Sequence, residues 1–429
     1  MQRLKQWLAG LVLVLGTLSW ASPAQDLFDQ ASFYLEFYYF GPSTLDLKAL
    51  TVKYQASLSS ACAQEPETCP YDKAVPVIQQ MIRELGDGHT YYQGPEALAA
   101  ARQQRSGNAP SRGLRIGISY QPIEGSRDQL ITDVVEGSPA DEAGILYGDR
   151  LIALNDRPLN DLSSPEEVQR TLSATVQTGQ PFKLTLLRGP KREQLEVTLR
   201  GREINLARLP SLKLRPDGIA VLKIPDFLAN NRVGPRVHEL VRQAQEAGAR
   251  GLILELRNNG GGSALDALIA MAAFIPNPYV LFTDRYNQER TVMSFREGKA
   301  TITDDKGTVL FSLPVERPAL WKGPLAILVN SRSASASEYL ASALKLNKVG
   351  VVIGETTAGV GNTTTRTYRL INGGGLNISQ NRAFLENGNS YPEVVRPDIG
   401  VNDDLKVLAE QGRDLPFERA LEALGIKQP

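Results

Sequence analysis

The sequence predicts an α/β protein with a helical N-terminal region and an inserted, strand-rich unit. Three observations carry this. From about residue 201 strands and helices alternate: "GIAVLKI", then "VGPRVHELVRQAQEAG", then "GLILEL", an almost uninterrupted apolar run of the kind buried on both faces of a sheet. Between about residues 112 and 200 the runs "LRIGISY", "QLITDVV", "DRLIALN", "FKLTLLRG" and "QLEVTLR" read as strands. Upstream, "AVPVIQQMIREL" sets Val75, Val77, Ile78, Met81, Ile82 and Leu85 along one broad helical face.

The chain has 429 residues, enough for two or three domains, with 42% hydrophobic and 22% charged residues. Lys+Arg and Asp+Glu balance at 47 each, which gives no electrostatic footprint for nucleic acid. The N-terminus reads as an export signal over residues 1–24: Arg3 and Lys5 precede the apolar "WLAGLVLVLGTL", and "SWASPAQD" offers cleavage after Ala21 or Ala24. The apolar run is short for a membrane span, so the mature protein is expected to be periplasmic or extracellular. Membrane contact is expected only if the signal stays uncleaved. Cys62 and Cys69 are the only cysteines and read as a disulfide staple rather than a metal site; with two histidines in the chain, neither metal nor organic cofactor is expected.

In order along the chain, the helical region covers 25–105 and is punctuated by the loop "GDGHTYYQGPE". The polar "QRSGNAPSRG" reads as a linker. In the unit 112–200, Ser164, Pro165 and Glu167 form a helix start with capping-box spacing. The α/β unit 201–429 contains "RNNGGG" after a buried strand, then "PLAILV" running into "NSRSASASEYLASALKL". His238 falls mid-helix among polar neighbours and reads as a solvated bystander.

A serine opening a helix sits where unpaired N–H groups and the helix dipole favour negative charge. Ser333, Ser335 and Ser337 all qualify, and each could equally be a mere helix cap. A glycine run such as "NNGGG" lets backbone N–H groups approach a reacting carbonyl closely. His89, in "ELGDGHT", lies in a tight loop rather than on a helix face.

The unit 112–200 resembles a PDZ domain, most specifically over "EGSPADEAGILYGDRLIALND". That resemblance implies that the loop Gly113, Leu114, Arg115 and Ile116 captures a peptide's terminal carboxylate. Leu114, Ile116, Val168 and Leu172 would line the pocket for the last side chain. Nearly the whole mature chain resembles the carboxy-terminal processing (tail-specific) serine peptidases: "LGDGHT", the PDZ-like insertion, "ELRNNGGG", "SASASE", "GETTAG" and "RPDI" occur in that family's order. The fold implied is a crotonase-like ββα-spiral peptidase core. Carried over by motif, Ser335 is the nucleophile, and the N–H groups of Ala336 and Gly261 form the oxyanion hole.

The chain departs from the family's Ser-Lys branch, because Val360 stands at the lysine position of "GETTAGVG". Lys345 and Lys348 lie ten and thirteen residues past Ser335, roughly 15 Å or more along a helix. The tricorn-type branch uses a histidine from the segment matching "DGHT" and a downstream glutamate. That resemblance implies His89 as base with Glu393 as its acidic partner, Glu355 and Asp87 being competitors. The expected activity is serine endopeptidase action on unfolded or C-terminal regions of proteins bearing free C-termini. The alternative is an inactive PDZ-bearing adaptor or ligand-binding protein on the same fold.

Overall fold

The computed structural model describes residues 21–106, 113–205, 207–286 and 289–426. Most of the predicted signal lies outside them. The first helix, Pro23–Tyr38, begins within that segment's last residues, with Ser22 Oγ accepting from the Gln25 N–H. It packs with helices Leu47–Ala61 and Tyr71–Glu84, and the Cys62–Cys69 disulfide ties the end of one to the start of the other. Leu27, Phe28, Ile78 and Met81 form a core with Leu370, Leu376 and Ile378 of the hairpin Thr363–Arg369/Gly375–Phe384. The helical region thereby docks on the sheet that carries part of the site.

The inserted unit is an antiparallel sheet in the order Ile118–Pro122, Gln129–Val134, Arg150–Leu154, Phe182–Arg188, Glu193–Leu199, with Arg157–Pro158 beside the third strand. Helix Pro165–Gln177 covers it, burying Val168, Leu172 and Val176. Ser164 Oγ accepts from the Glu167 N–H, but the Glu167 carboxylate turns to the N–H and hydroxyl of Ser163 instead of closing a box on Ser164.

The α/β unit is built on a six-stranded sheet in the order Ile399–Gly400, Val351–Gly354, Leu325–Val329, Gly251–Glu255, Ile219–Lys223, Ser211–Leu214. Its pairings are parallel except at the last strand. Side-chain alternation splits the central strands between two cores. Leu252, Leu254, Ile327 and Val329 face helices Val233–Glu246, Ala264–Ala272 and Ala336–Leu346, while Ile253, Ala326 and Leu328 face helix Leu415–Ala423. Burial on both faces explains the unbroken apolar run; each such side chain contributes about 1.5–3 kcal/mol. A seven-stranded antiparallel sheet includes the short strand Tyr91–Gln93, which pairs with Gly375–Asn377.

His238 is not the solvated bystander its neighbours suggested. It is 1% exposed, with Nδ1 accepting from the Ala319 N–H at 3.0 Å and Nε2 donating to Ile269 O at 2.9 Å. Its helix buries that face against Ala264–Ala272, which its polar sequence neighbours conceal.

Candidate active site

The strand Leu325–Val329 delivers the chain into a loop held by a dense set of hydrogen bonds. Ser333 Oγ accepts from the Asn330 N–H at 3.0 Å and donates to Leu256 O at 2.9 Å. Asn330 Oδ1 accepts from the Asn258 and Arg332 N–H groups. Ala334 N–H donates to Asn259 O at 2.9 Å. Thus the serine loop and the "NNGGG" loop are stitched together. Ser333 and Ser337 are both fully buried, whereas Ser335 is half-buried and within reach of a substrate.

Ser335 has φ 56° and ψ −119°, a backbone that an L-residue holds only when its surroundings impose it. The imposing group is Glu338, which the sequence reading passed over. Its carboxylate is fully buried and accepts four hydrogen bonds: Ser335 N–H (2.9 Å), Val360 N–H (3.0 Å), Gly359 N–H (2.9 Å) and Thr357 Oγ1 (2.5 Å). Burial pushes its pKa up against the pull of these donors. The available signal was its place three residues past the helix start, where a glutamate closes a capping box.

Ala336 is the first helical residue, so its N–H has no intrahelical acceptor. Gly261, at φ +91°, packs against it: a Cβ there would stand 2.9 Å from Ala336 N and 2.7 Å from Ser335 Cβ. Only glycine permits that approach. The Gly261 N–H, however, is donated to Asn259 Oδ1 at 2.9 Å. To serve a substrate oxyanion it must exchange that bond.

His89 sits in a loop held by Asp87, whose carboxylate accepts from the His89 N–H (2.9 Å) and Thr90 Oγ1 (2.7 Å). Asn377 Nδ2 donates to His89 O, fixing the loop to the adjoining strand. Nδ1 lies 2.8 Å from Thr363 Oγ1. Burial lowers the His89 pKa, with Asp87 opposing. The loop packs close to Val360: a Cβ on Gly88 would come within 3.3 Å of Val360 Cγ1. The Val360 and Ser335 N–H groups share Glu338 Oε2. Val360 and the serine are therefore gathered on one carboxylate, with the histidine loop packed against Val360.

Glu393 is not the partner of the imidazole. Its side chain is 42% exposed and faces Arg382 at 3.8 Å, while its carbonyl accepts from the Gly361 N–H. Thr363 takes the expected place, because the hairpin strand Thr363–Arg369 runs directly beside the histidine loop. Glu355 braces Ser331 and Asp403 N–H groups instead. Lys345 is committed to Asp398 (2.6 Å) and Arg396 O.

The inserted unit touches the serine loop directly. Arg332 Nη2 donates to Gln121 Oε1 at 2.7 Å, and Gln121 lies on Ile118–Pro122, the edge strand of the insertion. Nearby, Arg257 pairs with Glu255, Asp403 and Asp414, and its guanidinium lies 5.7 Å from the Tyr147 ring of the insertion. Asp403 also accepts from Asn330 Nδ2 at 3.0 Å. A 430 Å³ cavity at this junction is lined by Tyr147, Arg208, Lys223 and Arg257 and includes neither Ser335 nor His89.

In the proposed carboxylate loop, Leu114 is bracketed by Gln177, which accepts its N–H (3.2 Å) and donates to its carbonyl (2.8 Å). The Arg115 N–H goes to Arg202 O. Both amides are thus occupied. Ile116, Val168 and Leu172 belong to the buried core of the insertion, with half-buried Leu114 packed on it; Gly113, at φ +82°, opens the loop.

Comparison with known proteins bears on this arrangement. Residues 218–401 match the model of peptidase family S41, and residues 115–199 match that of the PDZ domain. The segment 218–401 thus carries the likeness to peptidase family S41. The chain is 26% identical over 366 residues to a carboxyl-terminal-processing protease of Synechocystis, covering 81% of this chain and 76% of that one. It is 28% identical to a chloroplastic carboxyl-terminal-processing peptidase of Arabidopsis thaliana, covering 76% of this chain and 60% of the plant protein. Among solved structures, a putative S41 protease from Bacteroides fragilis shares the fold at TM-score 0.57 and 16% identity, covering 92% of this chain and 96% of that one. The tricorn protease does so at TM-score 0.50 and 17% identity, covering 94% of this chain and 36% of its own. With the S41 core and PDZ insertion in place, the chain is a serine peptidase. Among the described residues no helix is long and apolar enough to cross a membrane.

Proposed function

We propose that this S41 peptidase is exported and cleaves unfolded or C-terminal regions of proteins, using Ser335 as nucleophile and His89 as general base. Support comes chiefly from the strained Ser335 at the start of its helix, held by Glu338 beside the histidine loop. In the tautomer that donates Nδ1–H to Thr363 Oγ1, 2.8 Å away, the lone pair of His89 is on Nε2 and can take the serine proton. Ser335 Oγ attacks the peptide carbonyl, the imidazolium returns the proton to the leaving amine, and water hydrolyses the acyl-enzyme. The Ala336 N–H, joined by Gly261 once it leaves Asn259, stabilises the oxyanion.

The PDZ domain would admit the substrate as an added strand along Ile118–Pro122. The Arg332–Gln121 contact places that edge against the serine loop. Signal cleavage after Ala21 would preserve the Ser22 cap and the Ala24 N–H bond to Cys69 O, whereas cleavage after Ala24 would remove the cap. Cleavage of casein by the wild type and its loss in Ser335→Ala test the reading. Turnover persisting in Ser335→Ala would overturn it.

A second reading, a binding protein on this fold, is favoured by Val360 and by the hydroxyl, rather than carboxylate, on His89. Failure of a serine-directed fluorophosphonate to label the folded protein would select it.

A further inference from the structure

Helix Val233–Glu246 begins without a cap of its own, because Arg232 at its N-cap has no side-chain acceptor. Asp266, from the first turn of the neighbouring helix Ala264–Ala272, supplies one. Its carboxylate is fully buried, and Oδ1 accepts from the Gly234 N–H at 2.8 Å. The two helix starts approach closely there: a Cβ on Gly234 would stand 2.5 Å from Ile269 Cβ and 2.9 Å from Asp266 O.

This cap closes a ring around the oxyanion glycine. Upstream of the helix, the Phe227 N–H donates to Gly261 O at 2.9 Å, and Phe227 O accepts from the Ser263 N–H at 2.8 Å. Ser263 Oγ in turn accepts from the Asp266 N–H at 3.1 Å. Residues 227–234 therefore form a strap, clasping Gly261 and Ser263 at one end and held by Asp266 at the other. Between the ends the chain only bends, with Asn230 and Asn231 in left-handed backbone at φ 53° and 60°. The clasp pins the peptides on the C-terminal side of Gly261. It leaves the Gly260–Gly261 peptide, whose N–H rests on Asn259 Oδ1, to turn toward a substrate.

Asp266 is a costly choice for a cap. Burial pushes its pKa up to about 6 against the pull of the Gly234, Asn231 and Val233 N–H groups, and no cation among the described residues offsets its charge. Among those residues Oδ2 has no hydrogen-bond partner. Ionised at neutral pH, the buried group lowers stability where serine or asparagine would cap without charge. We propose that Asp266 is a positioning residue for the oxyanion hole, anchoring the strap 227–234 so that Gly261 is held where its N–H can meet the substrate oxyanion. This role rests on the oxyanion function proposed above for Gly261. A loosened glycine weakens binding of the transition state and leaves that of the substrate unchanged.

Steady-state cleavage of a fluorogenic casein peptide, with inhibition by the corresponding peptide aldehyde and peptide alcohol, tests the proposal. Ser335 Oγ bonds to the aldehyde carbon, its proton passes to His89, and the former carbonyl oxygen enters the hole; the alcohol forms no such adduct. Asp266→Ala should lower kcat about tenfold, short of the roughly 10²–10³ that outright loss of a donor costs, and should change KM less than about twofold. Aldehyde affinity should fall by about the same factor as kcat, and alcohol affinity should hold. Asp266→Asn, whose amide oxygen can still accept the Gly234 N–H, should recover most of kcat. Denaturant unfolding verifies that each variant is folded under assay conditions. Should the alanine variant not fold, Asp266→Ser, whose hydroxyl falls short of Gly234, takes its place. Wild-type kcat in the variant that loses the cap overturns the proposal, as does an equal loss of aldehyde and alcohol affinity. Turnover persisting in Ser335→Ala would instead overturn the proposed activity itself.

Discussion

Glu338 offers the most quantitative test of how the site is held. Replacing it with glutamine keeps size and removes charge. Of the two orientations available to the new amide, the better one sets its NH2 toward Thr357 and Gly359, because the threonine hydroxyl can turn to accept, whereas the Ser335 and Val360 N–H groups cannot. One buried donor, the Gly359 N–H, is then left unpaired at about 1–3 kcal/mol. Three other bonds lose charge assistance, offset by relief of the cost of burying a carboxylate whose pKa burial already raises. The net destabilisation is about 1–3 kcal/mol for Gln. For Glu338→Leu, which orphans four donors, it is about 4 kcal/mol or more. Thermal unfolding should therefore rank wild type above Gln and Gln well above Leu. The kcat on casein should fall faster than stability in the Gln variant, since the Ser335 N–H then rests on a neutral acceptor in place of a carboxylate. A Leu variant as stable and active as wild type would refute the role of Glu338.

Thr363→Val should lower kcat substantially and leave KM little changed, because it frees the imidazole to adopt the wrong tautomer, whereas Glu393→Gln should cost little; the reverse ranking in steady-state assays would restore Glu393 as the orienting group. Ser333→Ala should destabilise by about 1–3 kcal/mol through the unpaired Asn330 N–H, read by denaturant unfolding, while Ser337→Ala should be near neutral. Burial lowers both histidine pKa values, so the unfolded chain takes up protons first. Their contribution to stability is fully present above the unfolded value of about 6.5 and is lost as pH falls from there through the folded values, a trend His238→Gln should flatten. Gln177→Ala should tighten binding of peptides with free apolar C-termini several-fold and leave amidated twins unaffected, as calorimetry would show, because it releases the Leu114 N–H.

Much of the fold was legible because its signals are local. The apolar strand "GLILEL", the capped helix at Pro165 and the glycine loop each announce themselves within ten residues. Ser335 was legible by motif, yet its singularity among three serines comes from burial: Ser333 and Ser337 are fully buried, and that depends on strands distant in sequence. Thr363 was not legible. It meets His89 only because strand Tyr91–Gln93 and the hairpin Thr363–Arg369 share a neighbour, a contact spanning 274 residues. Glu393 is what the resemblance to the tricorn-type branch implies, and motif order alone does not reveal that Arg382 lies beside its carboxylate. His238 failed for a related reason, since its polar helical neighbours conceal a buried face completed by Ile269 and Ala319.

The central proposal is that Ser335 is activated by His89, with Val360 at the position that the resemblance assigns to a lysine. The pH dependence of fluorophosphonate labelling, with the adduct located by peptide mass mapping, tests it most directly. Labelling should fall on Ser335, should rise with pH to a plateau with its midpoint below about 6.5 because burial lowers the imidazole pKa, and should fall by orders of magnitude in His89→Ala. An adduct on another residue, or a His89→Ala variant that labels Ser335 at the wild-type rate, would contradict it.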